Sequence, residues 1–127
     1  GKLDAEGGIT ILTNITGSAQ VNVSANATLF FEHTGNSSVE IDNSGEMTLS
    51  GKTRFMRRVR NKGRLKIGAG SEISFESADV TEIDGDGLHN EGKMRIGRGG
   101  MRVRKPIRSE GNESAMTVED NGIFLSG

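Results

Sequence analysis

The sequence predicts an all-β protein, a single-stranded parallel β-helix (β-solenoid) with coils of about 18 residues. Three observations lead there. A short motif, Asn-x-Gly followed by polar, apolar, polar and apolar residues, recurs along the chain. Apolar residues alternate with polar ones in short runs, which is the period of a strand and not of a helix. The composition is rich in glycine and poor in aromatics: of 127 residues, 19 are Gly, five Phe and one Pro, with no Trp, Tyr or Cys. Only 32% of residues are hydrophobic, enough for a narrow aliphatic stack and too few for a large aromatic core.

The regular part runs from residue 17 to residue 70 as three consecutive 18-residue units. Each unit holds two alternating runs. The first is Val21-Asn22-Val23, then Val39-Glu40-Ile41; the second is Leu29-Phe30-Phe31, then Met47-Thr48-Leu49, then Leu65-Lys66-Ile67. Val23, Ile41 and Val59 are 18 apart, as are Leu29, Met47 and Leu65, and Phe31, Leu49 and Ile67. Stacking like residues over one another at about 4.8 Å per layer gives each coil the core it lacks alone. On this spacing Val23 lies beneath Ile41 and Ile41 beneath Val59. Asn43-Ser44-Gly45, Asn61-Lys62-Gly63 and Asn90-Glu91-Gly92 precede strand-like runs, and Asn121-Gly122 opens a shortened copy. Both residue types tolerate positive φ, so the motif reads as a tight corner.

From residue 71 to residue 127 the spacing loosens, although Ile73 and Phe75, Met94 and Ile96, Met101 and Val103, and Met116 and Val118 keep the alternation. The 29 residues from Asn61 to Asn90 exceed one coil, and the excess around Ser77 to His89 reads as a longer rung or an inserted loop. Pro106 predicts a bend. A β-sandwich of short strands is the competing architecture, but hairpins do not require an 18-residue register column by column. The whole of 1–127 is expected to be one solenoid domain, a fragment or repeat unit of a longer rod or filament.

These Asn-x-Gly-x-apolar-x-apolar units resemble the right-handed parallel β-helix repeats of bacterial surface proteins: autotransporter passengers, haemagglutinin-type adhesins and outer-membrane polymorphic proteins. The resemblance covers most of the chain and rests on a structural motif with no catalytic residues to carry over. It implies a right-handed coil, an extracellular or cell-surface location, and a structural or adhesive role in a surface fibre, filament or large adhesin. Phage tail spikes and pectin-degrading lyases share the architecture, so the alternative is a carbohydrate-binding or carbohydrate-cleaving β-helix such as a tail-spike segment. The Gly-Gly-x-Gly-x-Asp signature of calcium rolls is absent, and so is the six-residue aliphatic period of left-handed hexapeptide helices.

The net charge of -1 hides a banded pattern. Eight of the 16 basic residues lie between Lys52 and Lys66, seven more between Lys93 and Arg108, and neither segment contains an acid. The stretch between them carries Glu72, Glu76, Asp79, Glu82, Asp84, Asp86 and Glu91. Alternation points these charges outward. The candidate binding residues are Arg54, Arg57, Arg58, Arg60, Arg64 and Lys66 in one band and Lys93, Arg95, Arg102 and Arg104 in the other. One reading is a solvated face with ion pairs between rungs. The other is a contact surface for another copy of the chain (head to tail or lateral), for other surface proteins, or for an anionic polysaccharide. Nucleic acid is disfavoured as a partner, because Phe55 alone interleaves the arginines.

Little else points to chemistry. The absence of Cys excludes disulfide staples, thiolate metal sites and cysteine nucleophiles. No run of 18 apolar residues exists, so no transmembrane segment is expected. His33 and His89 stand far apart and read as exposed turn residues. Asp84-Gly85-Asp86-Gly87 lacks EF-hand spacing and reads as a turn in preference to a calcium loop. No carboxylate pair or nucleophile–base spacing stands out, so neither catalysis nor a cofactor or metal is expected. Asn14, Asn22, Asn26, Asn36 and Asn112 begin Asn-x-Ser/Thr triplets, which corner-rich solenoid sequences supply by themselves. The strand motif at Gly122–Leu125 has no polar cap after it, which favours stacking into a longer rod.

Overall fold

The structure, a computed structural model, describes residues 2–13, 17–97, 99–103, 107–109, 115–118 and 124–126, the last three segments by backbone alone. The chain winds as a parallel β-solenoid, about five turns of it over the residues whose side chains are described. The first coil holds β1 (Lys2–Ala5) and β2 (Gly8–Thr13). β3 (Ser18–Val23) leads into the long β4 (Ala27–Asn43), which turns through two faces, and β5 (Glu46–Phe55) does the same one layer on. Later coils have three short strands each. They are β6 (Val59–Asn61), β7 (Arg64–Ile67) and β8 (Glu72–Phe75), then β9 (Thr81–Ile83), β10 (Leu88–Asn90) and β11 (Lys93–Ile96). β12 (Met101–Val103), β13 (Ile107–Ser109), β14 (Ala115–Val118) and β15 (Phe124–Ser126) follow. Among the described residues there is no helix, and so none long and apolar enough to cross a membrane.

The first face is the ladder β1-β3-β4-β6-β9-β12-β15, parallel throughout. The second continues from β5 through β7, β10 and β13, the third through β8, β11 and β14. Alternation sends one residue in two to the interior. Leu29, Met47, Leu65 and Leu88 stack in one buried column, and Phe31, Leu49 and Ile67 in another. The predicted fold class is therefore observed, with coil spacings from 18 residues at Met47–Leu65 to 23 at Leu65–Leu88.

Four local expectations are corrected. Val21, and not Val23, lies beneath Ile41, because Val23 pairs with Asn43. The corner after β3 is two residues longer than the corner after β4, and the later 18-residue match of Ile41 with Val59 stands. The segment 77–89 is no inserted loop: it carries β9 and the start of β10. Asn61 pairs with Ile83, while Asn90 pairs with Ile67, so the third Asn-x-Gly marks a different corner of the coil. Finally, the core does hold an aromatic stack. Phe31, Phe55 and Phe75 are buried, with ring centroids 5.6 Å apart for the first pair and 6.0 Å for the second, whose planes lie at 12°.

The Asn-x-Gly corner works differently from a positive-φ turn. Gly45, Gly63 and Gly92 are not among the positive-φ glycines. Their requirement is space: a Cβ on Gly45 would sit 2.2 Å from the Ser24 carbonyl oxygen, and one on Gly63 would sit 2.2 Å from that of Gly45. The asparagines turn inward and are fully buried. A chain that bends leaves backbone groups without ladder partners, and a carboxamide supplies both a donor and an acceptor. Asn61 Nδ2 donates to the carbonyls of Gly63 (3.0 Å), Asp84 (3.2 Å) and Gly87 (3.0 Å), and its Oδ1 accepts from Gly63 N at 3.2 Å. Asn43 Nδ2 reaches the same Oδ1 at 2.8 Å, so the two corners are tied through their side chains.

Candidate functional site

The charged bands are the only candidate the sequence supplied, and the coil decides what each residue in them faces. One turn of about 20 residues sets the acidic stretch on the rung between the two basic ones. On the first face Arg60, Glu82 and Arg102 form one outward column. Arg60 Nε lies 2.9 Å from Glu82 Oε2, and Arg102 Nη1 lies 3.9 Å from Oε1. Arg57 and Arg58 share Glu40 at 2.9 and 3.6 Å. Arg64 bridges Glu46 at 3.2 Å and Asp86 at 3.8 Å, and Lys66 reaches Glu91 at 3.2 Å. Opposite charges across neighbouring strands replace the like-charge stacking that the linear sequence suggests.

These pairs are worth little individually. Glu82 is 27% and Arg60 31% exposed at the side chain, so water screens them. Glu82→Gln is expected to lower stability by about 1 kcal/mol in low salt and by less in high salt. Urea denaturation at two ionic strengths measures it; a loss independent of salt would contradict an electrostatic role.

The third face is different. Lys52, Glu72 and Lys93 form one outward column, and Asn36, Arg54, Ser74 and Arg95 form the next. Together they line an open groove of about 580 Å³, with Gly35, Thr53, Ile73 and Met94 completing its wall. Four cations meet one carboxylate there. Glu72 serves both Lys52 at 3.8 Å and Lys93 at 3.9 Å, and Arg54 has no ion pair or hydrogen bond among the described residues. Ser74 Oγ donates to Glu76 Oε1 at the groove's margin. Smaller hollows of about 240 and 180 Å³ border Arg60–Glu82–Arg102 and Lys52–Glu72–Lys93. The sequence put Arg54 and Arg95 on a par with Arg57 and Arg58; what separates them is the register, which lays a serine between the first pair and carboxylates beside the second.

The side chain of Arg104 lies outside the described residues, as do those of Asn14, Pro106 and Asn112. Phe55 is fully buried in the aromatic stack and presents no surface to a base. His33 is not an exposed turn residue. It is 7% exposed, its Nε2–H donates to the Asn36 carbonyl at 3.1 Å, and its ring lies 6.1 Å from that of Phe31. His89 stands on the outer face, its Nε2 3.7 Å from Glu91. Asp84 Oδ1 accepts from Gly85 N at 2.9 Å and Asp86 faces Arg64, so both aspartates serve the corner. Among the described residues no group of three His, Cys, Asp or Glu converges as metal ligands do. Asn22 Nδ2 donates to Asp4 Oδ1, 2.9 Å away on the preceding rung, which gives that sequon asparagine a structural use.

Comparison of the chain with protein-family models, curated proteins and solved structures finds no match.

Proposed function

We propose that this chain is a structural β-solenoid of an extracellular surface fibre, filament or large adhesin, working through protein–protein or cell-surface contacts. The observation that carries the reading is the parallel ladder itself. Inward positions are given to aliphatic, phenylalanine and asparagine stacks, and outward charges are matched from rung to rung along the axis. Such a column can be continued coil after coil without altering its cross-section, because each coil meets only its neighbours. Repeated outward columns then present the same chemistry at regular intervals, which suits a stalk or an adhesive surface.

Electron microscopy of the native protein is the test. Elongated particles or filaments one solenoid wide are the expected result. Compact particles alone, at every concentration, would overturn the reading.

A further inference from the structure

We propose that the groove on the outer face of β5, β8 and β11 binds an extended acidic polysaccharide, whose anionic groups are held by Arg54, Arg95, Lys52 and Lys93. The charge balance carries the proposal. In a chain with net charge -1, this groove gathers four cations around a single carboxylate. Glu72 cannot neutralise both lysines, and its contacts with them are long and exposed. Elsewhere in the same bands Glu40, Glu46, Glu82 and Glu91 are placed against the cations. Like charges left facing water along one column repel one another unless an anionic partner meets them.

Spacing selects the partner. Arg54 and Arg95 stand two rungs apart with Ser74 between them, about 10 Å along the rod by the ladder repeat. Lys52 and Lys93 repeat that separation in the adjacent column. An extended glycan with one acidic group per disaccharide, lying parallel to the rod axis, meets a cation at each step. Guanidinium forks bind carboxylate or sulfate oxygens in two-point fashion. The Asn36 side chain at the rim and the neutral floor between the arginines suit sugar hydroxyls. An acidic peptide has no such fit: peptides bind sheets by adding a strand at an edge, and this is a sheet face whose backbone is already paired. Single-stranded nucleic acid lacks its stacking platform, since no aromatic residue lines the groove.

Affinity electrophoresis tests it with the native chain. The probes are polygalacturonate (carboxylated), dextran sulfate (sulfated), neutral dextran, oligodeoxythymidylate and polyglutamate. Retardation by one or both acidic glycans in low salt, and none by dextran, is expected, and the two glycan arms tell which anion is preferred. Arg54→Gln combined with Arg95→Gln is expected to weaken glycan binding about tenfold or more, as for lost charge-assisted contacts. Arg57→Gln combined with Arg58→Gln is expected to leave it within about twofold, as for exposed charges held elsewhere. Lys52→Gln with Lys93→Gln is a second groove variant, and circular dichroism checks that each is folded. Absence of glycan binding, equal loss from the Arg57 and Arg58 variant, or stronger retardation by oligonucleotide or polyglutamate would overturn the proposal. The groove lies within three adjacent coils, so its binding does not depend on fibre formation: compact particles that bind glycan would refute the fibre alone.

Discussion

Asn61→Ala is expected to destabilise the chain by about 3 to 5 kcal/mol, far more than an average polar substitution. The side chain is fully buried and contacts three carbonyls, the Gly63 N–H and the Asn43 amide. Removing it strands those groups at a bend where water does not reach, and each unsatisfied buried group costs about 1 to 3 kcal/mol. Asn22→Ala is the comparison. Its bond to Asp4 also spans 18 residues but is exposed, so a loss of about 0.5 kcal/mol is expected. Urea denaturation of both variants measures the difference. If Asn61→Ala cost no more than Asn22→Ala, the inward amide would not be what holds the corner.

The same residue marks where sequence reasoning succeeds and where it stops. Strand alternation was readable because inward and outward positions differ in polarity, and the columns Leu29–Met47–Leu65 and Phe31–Leu49–Ile67 have the register the spacing predicts. The column beginning at Val23 was misplaced by two residues. A shift of two preserves the side each residue faces, so hydrophobic pattern cannot detect it. Asn43, Asn61 and Asn90 looked alike in sequence, yet only the first two share a column. Bends of similar geometry occur at more than one corner of the coil, and each recruits the same motif. The aromatic stack escaped composition because a count of five phenylalanines does not say that three of them converge.

For the charges, the bands were visible and their outward direction followed from alternation. What they face was not. Whether Arg60 meets Glu82 or another cation depends on a 22-residue register, set by corners that lengthen by one or two residues each. Arg54 and Arg95, 41 positions apart in sequence, became neighbours of one groove only once those corners were placed.

Gly63→Ala tests the other half of the corner, and a loss of about 3 kcal/mol or more is expected. The added methyl would meet the Gly45 carbonyl oxygen at 2.2 Å and the Ser44 backbone at 2.7 Å, and neither can rotate away. That oxygen also accepts the ladder bond from Arg64 N at 2.8 Å, so relieving the clash breaks the pairing of β5 with β7. Gly70 separates this effect from backbone strain: its φ is +77° and nothing lies within 4 Å of its Cβ position, which predicts about 1 kcal/mol for Gly70→Ala. Gly63 N also donates to Asn61 Oδ1, so the two corner substitutions act on one network. Asn61→Ala combined with Gly63→Ala should therefore cost less than the sum of the single losses, by more than the ~0.5 kcal/mol scatter of independent sites. Strict additivity in that double-mutant cycle would mean that the amide and the close-packed glycine hold the bend separately. Non-additivity would mean that the coils stack through a single device, repeated wherever an inward asparagine precedes a glycine that has no room for a side chain.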